Sequence, residues 1–291
     1  MLLPLEVSRL EQSSEILAQP TGSPREATRV LVIGDVIGKP GRKAVEQVLA
    51  GLRAEREIDL VLANGENVAG GLGLTPSLAE ALLEAGVDVI TSGNHIWDKR
   101  EMLPHLDRMP NVLRPLNYGT DGVPGRGWGV FEAADGTHVA VINLQGRTFM
   151  TAIDNPFTDA DRLLDESADP LPPVRIVDFH AEATSEKNAL GLYLDGRVSA
   201  VIGTHTHVVT GDERILPKGT AYLTDAGMTG PVHSVIGFDP ATVLPRFINA
   251  LPTRFEVRDG GPVVFNACLV DVDPATGRAL AIERIGRIVE V

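Results

Sequence analysis

The sequence predicts an α/β fold, and three observations predict it. Short runs of β-branched and leucine residues alternate with stretches whose apolar residues repeat at helical spacing. This alternation favours parallel strands joined by right-handed crossovers. Glycine and proline divide the second half into shorter extended runs, which indicates that mixed or antiparallel strands complete the sheets. Finally, five of the strand-like runs end in polar side chains that are able to bind a metal.

The first half contains three predicted strands and two predicted helices. The strands cover residues 29–33, 59–63 and 87–91. The first helix begins near Pro40, because proline suits the first helical turn, and its apolar residues then recur every three or four positions. The second helix begins at the Thr75-Pro76 pair, an N-cap followed by a first-turn proline, and ends with Gly86 as its C-cap.

The second half contains shorter predicted elements. Strands are predicted at residues 139–143, 174–179, 198–202 and 220–224, and helices at 184–194 and within the polar stretch 154–173. The chain ends in a predicted hairpin, with strands at residues 262–272 and 279–288 joined by a turn rich in aspartate, proline and glycine. Residues 1–28 are predicted to be a flexible N-terminal extension, and residues 29–291 a single domain.

Composition excludes several classes of protein. Lysine and arginine number 26 and aspartate and glutamate 39, giving a net charge of −13 that argues against binding long nucleic acid or an anionic membrane. No apolar run reaches the roughly 18 residues of a transmembrane helix, and no secretory signal begins the chain, so a cytoplasmic location is predicted. The single cysteine, Cys268, lies in an apolar run and is predicted to be a buried structural thiol.

The polar residues that follow the predicted strands are the candidate site. Ligands bind outside the carboxyl ends of strands in open α/β sheets, so these side chains are expected to gather at one edge. Each of these residues could instead have a purely structural role. The aspartate could cap a helix, an asparagine could stabilise a turn, and a histidine could be hydrogen-bonded within the core. The group comprises Asp35, Glu66 with Asn67, Asn94 with His95, His180, and His205 with His207.

The histidine pair that follows the strand at residues 198–202 carries a separate expectation. In extended backbone, side chains at positions i and i+2 point to the same side of a strand. The sequence therefore predicts that His205 and His207 reach one cluster because they alternate along a strand.

These motifs, in this order, resemble the signature of the calcineurin-like metallophosphoesterase superfamily, and more narrowly its YmdB-type bacterial cyclic-nucleotide phosphodiesterase branch. The resemblance runs from about Arg29 to the C-terminus. It implies a β-sandwich of mixed sheets flanked by helices. Two positions depart from the broad superfamily: Ile37 stands where a histidine is usual, and Glu66 where the bridging residue is usually aspartate.

The resemblance also implies two divalent metal ions, iron or manganese, bridged by Glu66. One ion would take Asp35, Asn67 and His207, and the other would take Asn94, His180 and His205. His95 is adjacent to a ligand without being one, which makes it the candidate general acid for the leaving alkoxide. The alternative for His95 is a residue that only packs beside the cluster.

The predicted function is a dinuclear metal-dependent phosphodiesterase that hydrolyses small 2′,3′- or 3′,5′-cyclic nucleotides through a metal-bridging hydroxide. A phosphomonoesterase or nuclease on the same site is one alternative, and a non-catalytic metal-containing regulatory protein is another. The predicted partner is a small phosphodiester substrate, with neither long nucleic acid nor membrane. A homo-oligomer is expected from the resemblance alone.

Overall fold

The computed structural model describes residues 27–119, 122–167 and 170–291. Nearly all of the predicted N-terminal extension lies outside the described residues, so its independence from the domain stays a prediction. The first strand begins at Thr28, within one residue of the predicted start.

Two mixed sheets form the centre of the described chain, one of seven strands and one of six. The strands are β1 Thr28–Ile33, β2 Asp35–Val36, β3 Leu60–Asn64, β4 Val89–Thr91, β5 Trp128–Glu132, β6 His138–Gln145, β7 Val174–His180, β8 Ala200–Thr204, β9 Arg214–Ile215, β10 Ala221–Leu223, β11 Met228–Pro231, β12 Pro262–Val272 and β13 Ala279–Glu290. The first sheet has the order β2-β11-β12-β1-β3-β4 with β13 paired to β12, and the second has the order β5-β6-β7-β8-β10-β9.

Helices cover the outer faces of both sheets. The α-helices are α1 Gly38–Glu55, α2 Pro76–Glu84, α3 Pro156–Asp165, α4 Thr184–Tyr193 and α5 Pro240–Asn249, and short 3-10 helices cover Arg100–His105 and Leu116–Tyr118. Thr75 caps α2 as predicted, because its Oγ1 accepts a hydrogen bond from the backbone N of Leu78 at 3.3 Å. Gly86 follows the end of α2 with a φ of +103°, the left-handed conformation that favours glycine.

The core consists of apolar layers between and outside the sheets. Val30 and Val32 of β1 face the second sheet, whereas Leu31 and Ile33 face α1 and α2. Both faces of β1 are therefore buried, which explains its continuous apolar run. A third layer packs α3 and α4 against the second sheet around Phe179. The resulting order of layers is helix, sheet, sheet, helix.

The predicted pairings are confirmed where strands and helices alternate. Strands β1, β3 and β4 are parallel, as are β6, β7, β8 and β10. The C-terminal hairpin of β12 and β13 is also confirmed. The sequence did not indicate that β12 inserts antiparallel beside β1, and it missed α5, the edge strand β5 and the short strands β2, β9 and β11. Strands of two to four residues carry too few side chains to show a period.

Parallel pairing brings the carboxyl ends of the strands to one edge. In the second sheet Gln145, His180 and Thr204 are register partners at the ends of β6, β7 and β8. In the first sheet β3 ends at Asn64, immediately before the loop that carries Glu66 and Asn67. No helix within the described ranges is both long and apolar enough to cross a membrane.

Candidate metal centre and active site

His180, at the end of β7, lies at the centre of the candidate site and is fully buried. Its Nε2 lies 2.9 Å from Glu66 Oε1, 3.0 Å from His205 Nδ1 and 3.2 Å from Asn94 Oδ1. Among the carboxylate, histidine and cysteine side chains of the described residues, Glu66, His180 and His205 place ligand atoms within 4.8 Å of one another. This group alone supplies one compact set of oxygen and nitrogen atoms suited to a divalent cation.

A second group of side chains adjoins the first. His207 Nε2 lies 3.3 Å from the side-chain amide of Asn67 and 3.9 Å from Asp35 Oδ1. Asp35 Oδ1 is also 3.9 Å from His180 Nδ1, so Asp35 contacts both groups. The structure thus brings all seven residues predicted from the motifs, together with His95, to one edge of the two sheets.

The backbone of the two neighbouring histidines differs from the prediction. Strand β8 ends at Thr204, and His205 and His207 have φ values of +100° and +65° rather than extended backbone. Non-glycine residues rarely adopt this left-handed region. The prediction that strand alternation brings the two rings together is therefore wrong. The two rings line the same cavity because the chain turns sharply at both residues.

A buried ion pair holds this turn. Asp225 Oδ2 accepts hydrogen bonds from the backbone N of Thr206 at 3.1 Å and from its Oγ1 at 2.8 Å. Lys187 Nζ of α4 donates to the same oxygen at 2.6 Å, and both charged groups are almost completely buried. Because Thr206 lies between the two histidines, the Lys187–Asp225 pair fixes the segment that carries them.

Each of the three clustered histidines has one ring nitrogen engaged by an acceptor outside the cluster. Thr204 Oγ1 donates to Asp178 Oδ1 at 2.7 Å, so its own oxygen is available to accept from His180 Nδ1 at 3.0 Å. His205 Nε2 lies 3.1 Å from Glu182 Oε2. The Glu182 contact favours the His205 tautomer with an unprotonated Nδ1 facing the cluster. His180 Nδ1 also lies 3.2 Å from Asn64 Nδ2, and His180 Nε2 would lose its proton when a metal binds.

His207 follows the same rule with a backbone acceptor. Its Nδ1 lies 2.8 Å from the carbonyl oxygen of Ile236, in the loop before α5. A carbonyl can only accept, so Nδ1 is the protonated nitrogen and Nε2 faces Asp35 and Asn67 with a free lone pair.

The pKa values of the cluster reflect burial and close opposite charges. Burial alone would raise the pKa of Glu66, but the charge and hydrogen bond of His180 together with those of His95 outweigh burial and lower that pKa to about 2. Burial would likewise lower the pKa of His180, but the charges of Glu66 and Asp35 raise it to about 9. Burial and the charge of His180 lower the pKa of His205 to about 3. Burial raises the pKa of Asp178 to about 6. Without bound metal, His180 therefore carries the positive charge that balances Glu66.

Two buried carboxylate oxygens show how well the residues suit a metal. Asp35 Oδ1 and Glu66 Oε1 are buried and accept no well-directed hydrogen bond within the described part of the chain, although each lies near an imidazole. A buried oxygen atom without a donor is costly unless a ligand satisfies it. Carboxylate oxygens, amide oxygens and unprotonated imidazole nitrogens together form a donor set for hard or borderline divalent cations. The residues present therefore fit a bound metal.

His95 occupies the rim of the cluster. Its backbone N donates to Glu66 Oε2 at 2.9 Å, and its Nδ1 lies 2.8 Å from Asp98 Oδ2. Nε2 makes no hydrogen bond to any described residue, and the ring lines the cavity next to the cluster. Asp98 therefore orients the ring and leaves Nε2 available to a bound molecule.

Comparison with known proteins identifies the family. A profile of the YmdB-like protein family matches residues 31–285. The chain belongs to the YmdB-like protein family. It is 49% identical over 257 residues to the 2′,3′-cyclic-nucleotide 2′-phosphodiesterase of Bacillus subtilis (strain 168), and the match covers 88% of this chain and 96% of that protein. The YmdB-like chain is therefore a homologue of a phosphodiesterase.

Two solved structures share its fold. A hypothetical protein from Thermus thermophilus is 45% identical with a TM-score of 0.83, covering 91% of this chain and 100% of that one. A novel phosphatase from Mycoplasma pneumoniae is 37% identical with a TM-score of 0.84, covering 91% of this chain and 94% of that one. The predictions of family and of a sandwich of mixed sheets flanked by helices are confirmed.

Sequence reasoning missed the residues that position this YmdB-like cluster. Glu182 and Thr204 contact the clustered imidazoles, and Lys187 supports the turn between the histidines. Thr204 and Glu182 each lie within two residues of a predicted ligand, and this proximity is the signal that could have pointed to them. Lys187 gave no signal, because in sequence it is an ordinary helical lysine.

Proposed function

We propose that this protein is a phosphodiesterase that holds two divalent cations and hydrolyses small cyclic nucleotides. The observation that carries the proposal is one buried cluster in which Asp35 Oδ1 lacks a directed hydrogen bond and Glu66 Oε1 lies 2.9 Å from His180 Nε2. His205 and His207 adjoin these carboxylates. The 49% identity to a 2′,3′-cyclic-nucleotide 2′-phosphodiesterase supports the choice of substrate.

The proposed ligand sets follow the two groups of contacts. Asn94, His180 and His205 surround one position, and Asp35, Asn67 and His207 adjoin it. Glu66 would serve both sets through Oε1, while its Oε2 is held by the backbone of His95. Asn67 would turn its amide oxygen toward the cluster, since rotation of the amide exchanges its oxygen and nitrogen.

Charge favours a phosphodiester over a phosphomonoester. When bound, two divalent cations supply Lewis-acid polarisation of the phosphoryl oxygens and activation of the attacking water. The carboxylates of Asp35 and Glu66 offset part of the positive charge of the two cations. Once a hydroxide is also counted, about one positive charge remains to attract the substrate. A cyclic phosphodiester carries one negative charge, whereas a monoester dianion carries two.

His95 would complete the reaction as the proton donor. Cleavage of a cyclic phosphodiester releases a ribose oxygen that needs a proton as the bond breaks. The Nε2 of His95 is free, and the carboxylate of Asp98 holds the other ring nitrogen. Such a donor distinguishes an enzyme from a protein that holds metals for stability alone.

A substrate panel tests the proposal. The kcat/KM would be measured with added Mn²⁺ for adenosine 2′,3′- and 3′,5′-cyclic phosphates, p-nitrophenyl phosphate and single-stranded RNA. We expect a cyclic nucleotide to be best by at least tenfold, equivalent to about 1.4 kcal/mol of transition-state preference. A monoester preference of that size would instead favour a phosphatase, the word used for the Mycoplasma pneumoniae structure.

A matched pair of variants guards against a contaminating enzyme. Glu66→Gln should lose activity on every substrate, because the amide removes the buried charge. Glu80→Gln, an exposed glutamate on α2, should retain wild-type activity. Equal activity in the two variants would show that Glu66 is not part of the reaction.

A further inference from the structure

The cavity beside the metal cluster has one polar side and one apolar side. It measures about 260 Å³, and the polar side includes Glu66, His95 and the two histidines of the turn. The apolar side consists of Leu72, Ile236 and Phe238. Phosphate chemistry explains the polar side, but it gives no reason for apolar side chains at the same opening.

Two loops from distant parts of the chain build the apolar side. Leu72 lies in the glycine-rich loop before α2, and Ile236 and Phe238 lie in the loop before α5. The loops pack tightly: a Cβ added to Gly71 would lie 2.7 Å from Phe238 Cε1. Phe238 is buried at 8% exposure by this packing, whereas Leu72 and Ile236 remain 41% and 45% exposed. Their exposed carbon atoms face the cavity, and packing in the hydrophobic core does not explain why these side chains are apolar.

Ile236 has an unusual backbone conformation. Its φ is +48°, in the left-handed region where β-branched residues are outliers. The conformation directs its carbonyl oxygen to His207 Nδ1 at 2.8 Å. Glycine would provide the same carbonyl without strain, so the hydrogen bond to His207 does not explain why isoleucine occupies this position. Strained residues of this kind concentrate where function requires the side chain.

We infer that Leu72 and Ile236 form the subsite for the nucleobase of the substrate, an inference that rests on the proposed function. A cyclic nucleotide joins an anionic phosphate to a planar base whose faces are largely apolar. With the phosphate at the imidazoles, the base lies against the adjoining apolar side of the cavity. Aliphatic side chains contact the face of a base and do not read its hydrogen-bonding edges, so the subsite accepts both purines and pyrimidines.

The test compares a substrate that has a base with one that lacks it. Adenosine 2′,3′-cyclic phosphate and glycerol 1,2-cyclic phosphate present the same five-membered cyclic diester. Ile236→Gly keeps the positive φ and the carbonyl, and Leu72→Ala shortens the other side chain. We expect Leu72→Ala to lose about tenfold in kcat/KM on the adenosine substrate, mainly through KM, and to match wild type on the glycerol substrate. Because the Ile236 carbonyl also holds His207, Ile236→Gly is judged by its ratio: it should lose about tenfold more on the adenosine substrate than on the glycerol substrate. Leu280→Ala, an exposed leucine of β13, is the matched control.

Equal losses on both substrates would overturn the inference, because they would show damage to the metal cluster. An unchanged kcat/KM on the adenosine substrate would overturn it as well. Binding of AMP, measured by calorimetry with Mn²⁺ present, separates this inference from the proposed function because it needs no turnover. If wild type turns over no cyclic phosphate, the proposed function fails. A tenfold weaker Kd for AMP in Ile236→Gly then still supports a base subsite, and an unchanged Kd overturns it.

Discussion

Substituting Gly93 by alanine should displace His180 from the proposed metal cluster. Gly93 precedes Asn94, and a Cβ added to it would lie 2.0 Å from His180 Cδ2 and 2.3 Å from Nε2. Non-bonded carbon atoms prefer separations of roughly 3.5–4.0 Å, so the ring or the glycine backbone must move by about 1.5 Å. Metal–ligand distances tolerate only about 0.2 Å, so His180 would no longer bind at the same position.

The expected losses of Gly93→Ala are separable by two measurements. Overpacking should lower the unfolding free energy of the metal-free protein by about 1–3 kcal/mol, measured by urea titration in EDTA. The apparent affinity for Mn²⁺, measured by electron paramagnetic resonance, should fall by at least ~10–100-fold. Gly51→Ala is the control, because Gly51 lies in α1 with no atom within 4 Å of the added Cβ. It should be neutral or stabilising by about 0.5–1 kcal/mol. Wild-type Mn²⁺ affinity in Gly93→Ala would refute the packing of this glycine against a metal-binding His180.

Three further predictions concern the same cluster. In metal-free protein the unfolding free energy should fall by up to roughly 3 kcal/mol from pH 6.5 to 9. The pKa of His180 is raised to about 9 in the folded state, so the stabilising charge of His180 is lost as the pH rises through this range. Urea titrations should show this slope in wild type and a flatter one in His180→Gln; identical slopes would contradict it. His95→Ala should keep its metals but lose ~10²–10⁴-fold in kcat on cyclic nucleotides and less on activated aryl phosphodiesters. A uniform loss across leaving groups would exclude proton donation. Glu182→Ala should weaken Mn²⁺ binding by about tenfold, whereas Glu182→Gln should not, since its amide oxygen still accepts from His205; equal weakening in both would indicate a role for the charge instead.

The burial of Cys268 was predicted from the sequence without any knowledge of the tertiary structure. Its apolar surroundings in sequence predicted a buried thiol, and it lies buried in β12, where burial raises its pKa. The same reasoning located the strands and the α2 caps, because periodicity and capping depend on residues only a few positions apart. Asp35, Glu66 and His180 were recognisable for a related reason: each follows an apolar run that reads as a strand.

Contacts between distant residues depended on the fold. Asn67 meets His207 across 140 positions, and the two residues follow strands of different sheets. Each sheet is assembled by strand pairings that no local pattern specifies. The insertion of β12 beside β1 is one such pairing, because a strand buried on both faces shows no preference for one neighbour over another.

The sequence by itself determined which side chains are available for chemistry, and the tertiary structure decided how they are presented. Alternation along a strand predicted the direction of His205 and His207, but left-handed backbone at both residues set it instead. That backbone is held by the buried Lys187–Asp225 pair, whose members come from separate parts of the chain. Local propensity opposes such a conformation, so only contacts distant in sequence can select it.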